Sequence, residues 1–161
     1  MRILAAAAGM IALFLVGATQ VPAHVRLPVS SVVLGAVVSQ PFGCTSLELE
    51  PFSPTCPSHH LHTGIDLAAP SGTSVHSATS GVAVTGFDPA GAGDYVAVLV
   101  DSRVRILYCH LSAFAVRSGD SVTPGQVIGY VGATGLATGP HVHLQVDVAG
   151  HPVDPSVLLG S

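Results

Sequence analysis

The chain has 161 residues and a formal net charge of −4, with 9% charged side chains and no lysine. That length suits one domain with a real core. Its few arginines form no basic patch, which argues against nucleic acid or an anionic membrane surface as a partner.

Met1-Arg2 precedes an apolar, alanine-rich run over residues 3–18. A short positive start followed by such a run and then small residues predicts a secretory signal peptide over residues 1–23, cleaved after Ala18 or Ala23. The run is shorter than the roughly 20 residues that span a bilayer, so an uncleaved anchor is the weaker reading. The domain is therefore expected to be secreted, or at least to work outside the cytoplasm, with no stable membrane insertion after cleavage. Residues 24–39 form an N-terminal extension, and the β-branched run over 31–38 predicts a strand. The main domain then occupies residues 40–161. From Gln40 to Pro57 proline, serine and glycine replace any periodicity, which predicts a long surface loop. In an exported protein Cys44 and Cys56 are placed to close that loop by a disulfide.

Beyond Asp66, short apolar runs separated by turn residues predict strands near 74–78, 81–87, 95–100, 103–109, 125–131 and 141–148. Residues 88–94 read as a hairpin connection. No stretch of the mature chain carries a helical stripe, and only Asp154-Pro155 offers a cap and a first-turn proline for a short helical turn. The fold class is therefore all-β, or nearly so: a single domain of mainly antiparallel sheet.

Two histidine clusters carry the chemistry. Residues 59–66 read His-His-Leu-His-Thr-Gly-Ile-Asp, and residues 139–143 read Gly-Pro-His-Val-His. From residue 141 onward His141, His143, Gln145 and Asp147 alternate with Val142, Leu144, Val146 and Val148, so both histidines share one polar strand face. Catalytic zinc takes three nitrogen or oxygen ligands from the protein. His62, Asp66 and His143 would supply such a set. With nine histidines in the chain some clustering is expected by chance, and His60, on the same strand face as His62, competes for the ligand position or lines a groove. Tyr108-Cys109-His110-Leu111-Ser112 ends an apolar run, and His110 alone reads as a cap on the sheet.

Taken in order, His62-Thr63-Gly64-Ile65-Asp66, Tyr108-Cys109-His110-Leu111-Ser112 and Gly139-Pro140-His141-Val142-His143 resemble the motifs of lysostaphin-type, or LytM-like, zinc endopeptidases of the bacterial cell wall. Gly72-Thr73, Gly81-Val82 and the stretch from Gly119 to Gly129 resemble the scaffold segments of that family, so the likeness runs from about Gln40 to Pro155. It implies a β-rich fold of the duplicated hybrid motif type with a groove over an antiparallel sheet. It also implies one zinc ion per domain on His62, Asp66 and His143, and catalytic work by His110 and His141 in an order the motifs leave open. The implied substrate is the peptide part of peptidoglycan, acted on by a monomer. Two residues depart from the pattern. Leu144-Gln145 stands where Phe-Glu is frequent, which puts Gln145 beside the metal ligands as a supporting hydrogen-bond partner, and Cys109 is expected to be packed rather than reactive. Two other functions compete: a catalytically silent or latent wall-binding module, which predicts missing ligands, and a zinc D,D-carboxypeptidase, which needs a different spacing of the first histidine and aspartate.

Overall fold

The computed structural model describes residues 26–161. The expected signal peptide lies outside the described residues, as does its rival reading as an anchor. Among the described residues no helix is long and apolar enough to cross a membrane.

Among the described residues, twelve strands and almost no helix make up the fold: β1 (Val37–Gln40), β2 (Gly43–Thr45), β3 (His60–His62), β4 (Ile65–Ala68), β5 (Ser74–His76), β6 (Gly81–Asp88), β7 (Gly93–Leu99), β8 (Val104–Phe114), β9 (Ser121–Val122), β10 (Val127–Val131), β11 (His141–Val148) and β12 (His151–Val153). Ten of them form one sheet with the path β1-β4-β11-β8-β7-β6-β9, onto which β10, β5 and β12 are joined, and β2 pairs with β3 separately. Every pairing is antiparallel, as the short connections require. The expected all-β class with an antiparallel sheet is what the structure shows.

Alternation sets the faces of the central strands. On β11 Val142, Leu144 and Val146 are fully buried in the core with Ile106, Tyr108, Val96 and Val98 of β8 and β7. Their neighbours on the other face are left for the site. Tyr108, in the core, meets its polar requirement by accepting from the Ala78 backbone N–H at 2.8 Å, and burial pushes its phenol up to about 12.

Two expectations are corrected. The run over 31–38 is not one strand: Val29–Ser31 forms a 3-10 turn and only Val37–Gln40 is extended. Val29, Val32 and Val33 follow helical spacing and all three are buried, so their apolar faces plug the core as a turn before Gly35, at φ +76°, releases the chain. The loop after Gln40 is not structureless either. It contains β2, whose Cys44 faces Leu61 of β3. His60 and His62 share a strand, as expected, whereas Ile65–Ala68, beyond the Thr63-Gly64 turn, forms a strand that was not anticipated. The short helix Pro155–Leu159 forms as expected, with the Asp154 carboxylate accepting from Ser156 N–H at 2.9 Å and proline in its first turn.

Cys44 and Cys56 are joined by a disulfide. Opening it by a double substitution to serine is expected to cost about 2–3 kcal/mol on the chain-entropy model. Thermal unfolding of the reduced-equivalent variant measures this, and a drop in midpoint too small to reach about 1 kcal/mol would contradict it.

Candidate active site and metal centre

The centre arises from register. In the pairing of β11 with β4, His143 stands opposite Asp66, and in the pairing of β11 with β8 it stands opposite Cys109. Residues directly opposite on antiparallel strands point to the same face. His62 reaches the same point from the end of β3 through the Thr63-Gly64 turn. Gly64 is required there, because a Cβ on it would collide with the Leu144 backbone carbonyl oxygen and sit 2.7 Å from His143 Nε2. Gly64→Ala is therefore expected to displace the His143 ring and weaken metal binding by about 10- to 100-fold, the range seen when partners of metal ligands are lost. A chelator competition titration reads this, and unchanged affinity would contradict it.

His62 Nε2, Asp66 Oδ1 and His143 Nδ1 form a nearly equilateral triangle, with sides of 3.1, 3.0 and 3.0 Å. His62 is completely buried and Asp66 nearly so. Hydrogen positions follow from the partners, since a carbonyl only accepts. His62 Nδ1–H donates to the Pro41 carbonyl at 2.8 Å, which leaves Nε2 with a bare lone pair. His143 Nε2 faces the Gln145 Oε1 carbonyl oxygen at 3.4 Å, which leaves Nδ1 bare. Two lone pairs and a carboxylate oxygen thus converge, an arrangement that repels itself unless a cation or a proton sits among them. Among the described residues these three are the group able to hold a metal ion, and their donor set fits zinc or a similar ion.

The electrostatics show the same demand for positive charge. Burial opposes protonation of His62, but the hydrogen bond to Asp66, the Pro41 carbonyl and the charges of Asp66 and Glu50 outweigh it and raise its pKa above the ordinary 6.5. Burial alone would raise Asp66, yet contacts with His143 and His62 hold its carboxyl well below the usual carboxylate range.

His110 and His141 lie beside the triangle with ring centroids 4.7 Å apart. His141 Nδ1–H donates to the Gly139 carbonyl at 2.8 Å, and its Nε2 is 3.7 Å from Asp66 Oδ2. His110 Nδ1–H donates to the Thr134 carbonyl at 2.9 Å. Both rings therefore turn Nε2 away from their anchoring carbonyls. His110 is not the sheet cap that its local sequence suggested: β8 continues past it to Phe114. It sits at φ +62°, a conformation costing a residue with a Cβ about 1–2 kcal/mol, where the β7–β8 register shifts between Asp94 and Val96. Such a bulge re-aims a side chain. Burial, then the neighbouring His141 and His143, lower the His110 pKa against the pull of the Thr134 carbonyl and Asp66, so its imidazole is neutral at neutral pH.

An open groove of about 380 Å³ runs over this face. Leu47, Leu49, Glu50 and Pro51 of the disulfide-closed loop form one wall, Ala90–Ala92 and Leu136 contribute to the other, and Asp66, His141, His143 and Gln145 lie in the floor. His60 belongs to neither the triangle nor the groove lining. Its Nδ1–H donates to the Glu50 carbonyl at 2.8 Å and so fixes the loop wall. Cys109 is buried, and desolvation with the nearby carboxylates pushes its thiol up to about 12, so it is a protonated packing residue. Sequence reasoning missed Thr134 and Pro41, whose backbone carbonyls orient His110 and His62; no side-chain pattern marks a backbone acceptor.

Residues 60–155 match the model of peptidase family M23. The chain belongs to peptidase family M23. A curated relative, the DD-carboxypeptidase/endopeptidase Mpg of Neisseria gonorrhoeae, is 42% identical over 118 residues, which are 73% of this chain and 26% of that protein. The chain thus spans about a quarter of the length of that relative. Among solved structures, the catalytic domain of the antimicrobial peptidase lysostaphin from Staphylococcus simulans aligns with a TM-score of 0.65 at 31% identity, covering 78% of this chain and 93% of that one. A zinc containing peptidase from Vibrio cholerae aligns with a TM-score of 0.65 at 32% identity, covering 82% and 39%. The M23 fold thus accounts for the sheet, and the three histidine-bearing motifs fall within the matched region.

Proposed function

We propose that this chain is a secreted, monomeric zinc endopeptidase that hydrolyses peptide bonds in the stems or cross-bridges of peptidoglycan, with one zinc ion on His62, Asp66 and His143. In this reading residues 1–23 direct export, 24–39 form an extension, and 40–161 carry the peptidase. The observation that carries it is the inward convergence of two imidazole lone pairs and a carboxylate oxygen within 3.1 Å of one another, at the floor of a groove. When bound there, the ion supplies Lewis acidity to a water molecule and to the scissile carbonyl.

The chain's own residues do the rest. His62, fixed by Pro41, and His143, fixed by Gln145, hold their bare nitrogens toward the ion without rotation. His110 and His141 share the proton work. A neutral imidazole accepts a proton from the attacking water at Nε2 and passes it to the leaving amine, while the second, carrying a proton on Nε2, stabilises the oxyanion. The lowered pKa of His110 fits it for the acceptor role.

The groove lining favours an endopeptidase over a D,D-carboxypeptidase. Among the described lining residues there is no lysine or arginine, while Glu50 and Asp66 are acidic. Apart from the proposed zinc ion, a terminal carboxylate would meet no cation there, and Glu50 would be a like charge. A silent binding module is disfavoured because all three ligand positions and both additional histidines are filled. Mass analysis of digested cross-linked walls tests the reading. Cross-linked muropeptides converted into monomers are expected. Release of single terminal amino acids alone would favour the carboxypeptidase, and no product from any wall type would favour the silent module.

A further inference from the structure

The polar face of β11 continues beyond the metal ligands and Gln145 to Asp147, which has had no role so far. Asp147 is 3% exposed. Its Oδ2 accepts from Arg105 Nε at 2.8 Å and from a terminal guanidinium nitrogen at 2.8 Å. Its Oδ1 accepts from Gln145 Nε2 at 2.8 Å. The far end of the Gln145 amide, Oε1, accepts from Thr63 Oγ1 at 2.7 Å and faces His143 Nε2 at 3.4 Å.

The direction of this chain is not free. A carboxylate paired with arginine only accepts, so Gln145 must turn its NH2 group toward Asp147 and its carbonyl oxygen toward His143. The flipped amide would set oxygen against oxygen at the Asp147 end. Once the carbonyl oxygen faces His143, Nε2 of that ring must carry the proton, and Nδ1, the atom 3.0 Å from both Asp66 Oδ1 and His62 Nε2, must be bare.

We propose that Asp147, anchored by Arg105, is a positioning residue that selects the metal-binding tautomer of His143 by fixing the orientation of the Gln145 amide. This rests on the metal site proposed above, and it assigns to Asp147, Arg105 and Thr63 a function two side chains removed from the metal. The glutamine makes the device necessary: a glutamate at that position would accept from His143 whatever stood behind it, whereas an amide needs to be told which end to present.

Zinc affinity of the whole chain, measured by competition with a chromophoric chelator, tests this together with the nitrogen-15 shifts of the His143 ring in zinc-free protein. Asp147→Asn lets the amide flip and is expected to weaken zinc binding by about 10- to 100-fold and to move the proton partly onto Nδ1. Gln145→Glu alone faces the Asp147 carboxylate and is expected to be weak as well. The double variant Asp147→Asn/Gln145→Glu restores an acceptor-only group beside His143 without the repulsion, and its affinity is expected to return to within about threefold of native, since a conservative pair reinstates the contact. A residue that merely held the strand in place would give two additive losses, and that result, or an Asp147→Asn protein with native affinity and native ring shifts, overturns the proposal. If native protein binds no zinc, the metal reading fails while the ring shifts still decide the tautomer.

Discussion

His62→Ala is expected to abolish stoichiometric metal binding and reduce peptidase activity to background. His62 Nε2 is one corner of a triangle whose other sides are supplied by single atoms of Asp66 and His143, so two ligands remain after the substitution. The loss in affinity should exceed the roughly 10- to 100-fold typical of partners that only orient a ligand. His60→Ala is the control. It sits two residues away on the same strand, with its ring committed to the Glu50 carbonyl, and it should retain the metal. Metal analysis of the two purified variants decides between them, and metal retained by His62→Ala, or lost by His60→Ala, would contradict the ligand assignment.

The same residue sets a pH dependence. His62 is raised above 6.5 in the absence of a metal, so its contribution to the stability of the zinc-free protein is fully present below 6.5 and is lost as pH rises through the raised value. Asp66 is depressed below 3.8, so its contribution is present above 3.8 and is lost only in acid. On the proposed ligand assignment, zinc needs the His62 lone pair and competes with that proton, not with Asp66 near neutrality. The rise in melting temperature on adding zinc should therefore grow from pH 5.5 to pH 8, and a rise that shrinks over this interval would contradict the coupling.

His141→Ala should give the second large effect, of a different kind: metal retained, with kcat lowered by about 10²- to 10⁴-fold, the usual contribution of a positioned proton-transfer group. Its Nε2 is 3.7 Å from Asp66 Oδ2 and lies outside the ligand triangle. The corresponding test of His110 is cleaner with asparagine than with alanine, because the position holds φ +62° and asparagine tolerates the left-handed region. His110→Asn should keep the metal and the fold while losing kcat on the same scale. Loss of metal from either variant would move that histidine into the ligand set.

Much of this site could be read from the chain. Strand alternation from residue 141 puts His141, His143, Gln145 and Asp147 on one face without any structure, and β11 has the boundaries that alternation predicts. The His62–Asp66 spacing, with a glycine between, anticipates a tight turn, and contact of Gly64 with the His143 ring gives the physical reason. What could not be read depends on partners remote in sequence. His110 looks like the end of a strand because its local run becomes polar there, yet pairing with Ala92 and β10 extends the strand to Phe114. Val32 and Val33, at the start of the 31–38 run, look β-branched and extended, but burial with Val29 at helical spacing overrides propensity. Pro41 and Thr134 act through carbonyls, which carry no residue signature.

The most direct measurement is digestion of purified cell walls by the native chain before chelation, after removal of metal, and after return of one equivalent of zinc. Activity that disappears on chelation and returns with one zinc per chain, releasing peptide-cleaved wall fragments, is the predicted result. Wall cleavage indifferent to chelation, or a fully zinc-loaded chain that cleaves no wall peptide, would contradict it.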